Sequence, residues 1–306
     1  MFAELGKAPA YLLSDSRIPP NPNADGDVSG AHRWHSLDSE KSYRRNPHPR
    51  FGPDDVNYQF NRHGYRCPEF PTANQACDDV VTLALIGSSG LFGTGLPESM
   101  SPPALLQKRF ETYLGRSVRV WNLAVGGTGA DYVTRMLFSV IPVLKPDFVV
   151  LTTHPFNRRE LMGETGRIYT TQSYPHWQHR FTDRERWQMH DVCEKISNPY
   201  NHVMQFLTNA KVWESLCDNA SLPWLFMTEG YSEHIESVYG RMTDPRKMVG
   251  PGMFPLVKKY RADPATGLAR DMLHGGILPS EEFADIMFAR FLDLYVDRLH
   301  RLKRGP

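Results

Sequence analysis

The chain concentrates its apolar residues in short unbroken runs separated by helical spacing. Val80-Val81-Thr82-Leu83-Ala84-Leu85-Ile86 is the most continuous run. Its length and β-branched content predict a strand covered on both faces of a parallel sheet. Runs at Val118–Leu123, Phe148–Thr152 and Pro223–Thr228 predict three more strands. Between them the period changes. Ser101 as a cap, Pro102 at the first position and Leu105, Leu106, Phe110 and Tyr113 before Gly115 predict a helix. A second is expected near Tyr132 to Val143. A closing helix is expected from a Ser280 cap, with Glu281 and Glu282 in its first turn and an apolar stripe of Phe283, Ile286, Met287, Phe291, Leu294 and Tyr295. Strands alternating with helices indicate a doubly wound α/β sheet.

The pattern also divides the chain. Residues 1–78 are rich in Pro, Asn, Asp and Arg without sustained period, and read as an irregular N-terminal extension wrapping the core, with a short strand near Val56–Phe60. Residues 79–306 read as the main α/β domain, interrupted at about 158–222 by a polar and aromatic insertion expected to form a helical or loop lid.

Composition changes little of this. Of 306 residues, 41% are hydrophobic and 23% charged, an ordinary globular balance, and a net charge of +1 gives no field to attract nucleic acid or an anionic membrane. No apolar run approaches the roughly 20 residues of a spanning helix. Cys67, Cys77, Cys193 and Cys217 form no C-x-x-C pair. With an N-terminus that lacks a basic segment followed by an apolar run, this predicts reduced thiols and a cytoplasmic location. His176, His179, His190 and Cys193 lack zinc-site spacing, so neither metal nor cofactor is expected.

The chemistry centres on Leu85-Ile86-Gly87-Ser88-Ser89-Gly90-Leu91-Phe92-Gly93-Thr94-Gly95. A phosphate cradle fits poorly: the loop has no lysine, its glycines miss the dinucleotide spacing, and the second strand ends at Asn122 instead of a ribose-binding acid. The Gly-x-Ser-x-Gly elbow also fails, because Leu91 takes its last place. What remains is a serine at the carboxyl end of the first strand, where open α/β sheets place their sites. A nucleophilic serine needs a base and the base an orienting carboxylate. Asp271-Met272-Leu273-His274 supplies both at a spacing a turn can close. Taken singly, Ser89 reads equally as a turn residue and His274 as a loop histidine.

In their order these motifs resemble the SGNH (GDSL-type) hydrolases over about residues 57–300. Gly87-Ser88-Ser89 stands where that family carries Gly-Asp-Ser, Asn122-Leu123-Ala124-Val125-Gly126-Gly127 resembles its second motif, Pro155-Phe156-Asn157-Arg158 its third, and Asp271 to His274 its last. Asn61-Arg62-His63-Gly64-Tyr65-Arg66 is similar to a segment some members place before the first strand. The resemblance implies a three-layer α/β/α, flavodoxin-like sandwich. It also implies a Ser89, His274, Asp271 triad and an oxyanion hole built from Ser89, Gly127 and Asn157. Ser88 and Arg158 replace family aspartates, and His154 is an alternative polar group at the third motif. Trp177, in the aromatic insertion, and His154 are the expected substrate contacts. The implied partner is a small acylated molecule. Ester or thioester hydrolysis leads, acyl transfer to an alcohol or amine shares its covalent step, and a non-catalytic binding protein is the third reading.

Overall fold

The structure, a computed structural model, describes residues 18–22, 29–71, 80–154, 158–162, 168–170, 198–230 and 233–304. In chain order, β1 (Gly30–His32), α1 (Glu40–Arg45) and β2 (Tyr58–Phe60) come first. β3 (Val81–Ile86), the helical turn α2 (Ser89–Phe92), α3 (Pro102–Leu114) and β4 (Val118–Asn122) follow. Next are α4 (Ala130–Leu144), β5 (Phe148–Thr153), β6 (Glu160–Met162) and β7 (Ile168–Thr170). The rest comprises α5 (Pro199–Asn219), β8 (Trp224–Thr228), α6 (Glu233–Met242), α7 (Met253–Tyr260), α8 (Pro264–Gly267) and α9 (Ile277–Arg304).

Four strands form the central sheet, in the order β4-β3-β5-β8 and all parallel. The unbroken apolar runs are explained by what covers them. Leu83 and Leu85 of β3 join one core with Leu106 and Phe110 of α3 and Phe283, Met287 and Phe291 of α9. Ala84 and Ile86 face the other way, into a core with Val133, Met136 and Leu137 of α4 and Phe206 and Trp213 of α5. The result is an α/β/α sandwich. Within the stretch 158–222, α5 is the helix that carries the chain from β5 to β8 and it packs on α4; residues 171–197, including Trp177, lie outside the described residues. Among the described residues no helix is long and apolar enough to cross a membrane, and Cys67 and Cys217 are buried free thiols.

One helix starts where expected without its expected cap bond, and another starts early. Ser101 does precede α3, but its hydroxyl donates to the Glu98 carbonyl at 2.7 Å and caps nothing. The closing helix begins at Ile277, so Ser280 lies one turn inside it and donates to the Gly276 carbonyl. The reason is a close approach: a side chain on Gly276 would come within 2.5 Å of the Leu268 carbonyl oxygen. Glycine allows the chain to enter the helix four residues early. The regular backbone then breaks at Tyr295 (φ −133°).

The described part of the N-terminal segment is tied to the sandwich by two arginines. Arg66 donates to the Gly93 and Leu96 carbonyls, each at 2.8 Å, and its guanidinium lies over the Tyr58 ring. Arg270 is fully buried. Its Nε and Nη2 donate to the Asp38 carboxylate at 3.0 and 2.7 Å. Its remaining protons reach the Arg33 and Pro53 carbonyls, while Trp34 stacks against it. Tyr58 donates a further hydrogen bond to Asp38 at 2.5 Å. A buried ion pair is costly to leave half made. Asp38→Ala is therefore expected to lower unfolding free energy by about 3–5 kcal/mol in denaturant titration; a loss under about 1 kcal/mol would contradict this role of the pair.

Candidate active site

The sheet order sets the location. The chain leaves β3 toward β4 on one side, and β5 toward β8 on the other, so the connections diverge at the carboxyl ends of β3 and β5. Such a point opens a crevice. Gly87, at the end of β3, has no room for a side chain: a Cβ there would lie 2.1 Å from Thr152 Oγ1 on β5. Its carbonyl accepts from the Val125 N–H at 2.8 Å and the Thr128 hydroxyl at 2.9 Å, which join the first and second motif loops. Ser89, half-buried, starts α2 at this edge.

Gly126 and Gly127 form a turn beside it. A Cβ built on Gly126 would be 3.7 Å from Ser89 Cβ, and Gly127 has φ +82°, a conformation that favours glycine. Glycine at 126 leaves the space beside the serine free of a side chain.

The Asp271 loop arrives from the other direction. Asp271 Oδ1 accepts the backbone N–H groups of Leu273 and His274, both at 3.0 Å, and its Oδ2 lies 2.5 Å from His274 Nδ1. The expected turn thus closes on itself. Gly95 joins this loop to the serine loop: its carbonyl accepts the Arg270 N–H at 2.9 Å. A Cβ on Gly95, whose φ is +75°, would sit 2.9 Å from Arg270 N and 3.1 Å from Asp271 N. Gly95, the fourth glycine of the loop after β3, is thus the place where the serine loop and the Asp271 loop meet.

Burial works against a charged His274, but the Asp271 carboxylate and its hydrogen bond outweigh it, and Glu229 adds to them while Arg158 opposes. The imidazole is held above its ordinary value. For Asp271, burial is likewise outweighed by His274 and by the two backbone N–H groups, and its carboxyl is held low.

Glu229 is the residue the sequence reading missed. It follows β8, is 3% exposed at its side chain, and lies 3.9 Å from Arg158 Nη1. Its Oε1 would be 3.2 Å from a Cβ on Gly90. Burial raises its pKa, while Arg158, His274 and the Gly90 N–H pull it down. One carboxylate therefore lies beside the residue after Ser89 and acts through its charge on the imidazole. A signal for it existed: an acid immediately after an apolar strand, at the sheet edge where sites form.

The remaining expected residues are divided. Asn157 and Trp177 lie outside the described residues. His154 follows β5, its ring 5.6 Å from the Phe254 ring. Ser88 is buried, and among the described residues its hydroxyl has no hydrogen-bond partner. A separate cavity of about 440 Å³ opens beside edge strand β4, among Arg66, Glu98, Gln107 and Arg119, and contains none of these groups.

Comparison with known proteins gives structural likeness alone. The structure resembles that of TesA, with a TM-score of 0.44 and 16% identity, over 70% of this chain and 99% of that one. The psychrotrophic esterase EstA from Pseudoalteromonas sp. gives 0.43 and 12%, over 69% and 97%. A catalytic mutant of Axe2, an acetylxylan esterase from Geobacillus stearothermophilus, gives 0.39 and 16%, over 70% and 93%. No family model matches the chain, and no curated protein matches it.

The electrostatics make a direct prediction. Histidine C–H titration by NMR should place the His274 pKa above 6.5 in the parent. Glu229→Gln should lower it, and Asp271→Asn should lower it further, because each change removes a negative neighbour of the imidazolium. An unchanged or higher value in Glu229→Gln would rule out electrostatic contact between the two.

Proposed function

We propose that the protein is a serine hydrolase of acyl esters or thioesters. The observation that carries this reading is the Asp271–His274 contact at 2.5 Å, on a loop joined at Gly95 to the loop that bears Ser89. A carboxylate on Nδ1 fixes the tautomer in which Nε2 is the free base. Nε2 then takes the Ser89 proton as Oγ bonds to the acyl carbon. The tetrahedral oxyanion is received by the backbone N–H groups of Ser89 and Gly127 and the side-chain amide of Asn157.

His274 next gives the proton to the leaving alkoxide or thiolate, and the C–O or C–S bond breaks. Water, activated by the same imidazole, attacks the acyl-serine and releases the acid. An alcohol or amine in place of water would make the same site an acyltransferase. Glu229 raises the basicity of His274 without touching the reacting atoms.

On a small chromogenic ester, folded Ser89→Ala is expected to lose on the order of 10³-fold or more in kcat/KM. Parent-like activity in that variant would remove Ser89 as the nucleophile. The pH profile should fall on its acid side with an apparent pKa above 6.5, since protonated His274 cannot accept the serine proton. A profile flat from pH 5 to 8, in roughly the range where histidine titrates, would contradict His274 as base. Product analysis with added alcohols or amines measures the share of transfer.

A further inference from the structure

The turn His35-Ser36-Leu37-Asp38 in the N-terminal segment has a rigid base and an open tip. His35 and Asp38 exchange backbone hydrogen bonds of 2.9 and 3.1 Å. Asp38 is locked by Arg270 and Tyr58, and the His35 ring lies against the rings of Tyr58, Phe60 and Phe92. Ser36 has φ +55°, which a serine adopts at a cost unless its surroundings over-determine it. Leu37 is 56% exposed, although both flanks are held in place.

The tip faces the candidate site. The position of a Cβ on Gly126 is 3.7 Å from Ser89 Cβ and 3.9 Å from Ser36 Oγ. The Ser36 hydroxyl and the Ser89 side chain thus flank the same glycine. Leu273, next in sequence to His274 and 61% exposed, is an apolar residue on the loop that Arg270 leads into. A hydroxyl and a leucine held at one wall, with a second leucine beside the base, suit a ligand that has an oxygen next to an aliphatic arm.

Resting on the Ser89 reading, we propose that the Ser36–Leu37 turn forms the specificity wall of the active site. Ser36 hydrogen-bonds an oxygen of the substrate beside the scissile bond, and Leu37 with Leu273 covers an aliphatic arm. The N-terminal segment is in this way part of the substrate site.

Two ester series determine which side of the ester carries the arm: p-nitrophenyl esters from acetyl to octanoyl, and acetate esters from ethyl to octyl alcohol. Kinetic constants are compared for the parent, Ser36→Gly, Leu37→Ser and Leu37→Met. Leu37→Ser should reduce the long-to-short ratio of kcat/KM about tenfold in one series, through KM, and Leu37→Met should restore it. Ser36→Gly suits the positive φ and should cost about fivefold across the series without loss of thermal stability. Binding of octanoate and of octanol to the Ser89→Ala protein is measured in parallel; one of them should weaken about tenfold on adding Leu37→Ser. Parent-like chain-length ratios and unchanged binding in the Leu37→Ser proteins would overturn the proposal. A parent inert to every ester, with Leu37-dependent binding intact, would uphold this wall and reject the hydrolase reading alone.

Discussion

A fully buried guanidinium next in sequence to a catalytic candidate constrains the whole arrangement. A guanidinium is costly to bury unless its donors are satisfied, and for Arg270 the Asp38 carboxylate and the Arg33 and Pro53 carbonyls do that while Trp34 stacks on it. All four residues come from the N-terminal segment. The same residue's backbone N–H binds Gly95, so one amino acid links the N-terminal segment, the serine loop and the start of the Asp271 turn. Asp271 and His274 are held by a frame that extends well beyond the parallel sheet.

That frame explains which parts of the molecule were legible. Strands β3, β4, β5 and β8 stood out because burial on both faces permits continuous apolar runs, and the alternation with helices then fixed the layers. The Asp271–His274 turn was legible because its contact spans three residues. The start of the closing helix at Ser280 and the cap bond expected of Ser101 were misread because a serine before an apolar stripe looks like a cap whether or not its hydroxyl reaches an N–H. The partnership of Asp38 with Arg270 left no local trace, since 232 residues separate the two. Ser36 gave no signal for the same reason: its importance arises only where two distant segments meet.

Arg158 and Glu229 bring opposite charges together at the edge of the sheet. The Arg158 backbone lies against a buried loop: its carbonyl would be 2.1 Å from a Cβ on Gly129, in the same turn region as Gly126 and Gly127. Glu229 supplies the opposite charge, 3.9 Å away, and in the same position it neighbours His274. At Ser88 the loop is held instead by backbone and threonine contacts to Gly87.

The account rests on the Ser89 oxygen being activated by the imidazole at the far end of the chain. Its most direct test is covalent: the folded protein is treated with an alkyl fluorophosphonate, weighed intact and mapped by peptide mass spectrometry. One adduct per chain on Ser89, absent when His274 is replaced by Ala, is the predicted result. Adducts on another residue, or labelling of Ser89 that does not depend on His274, would contradict it.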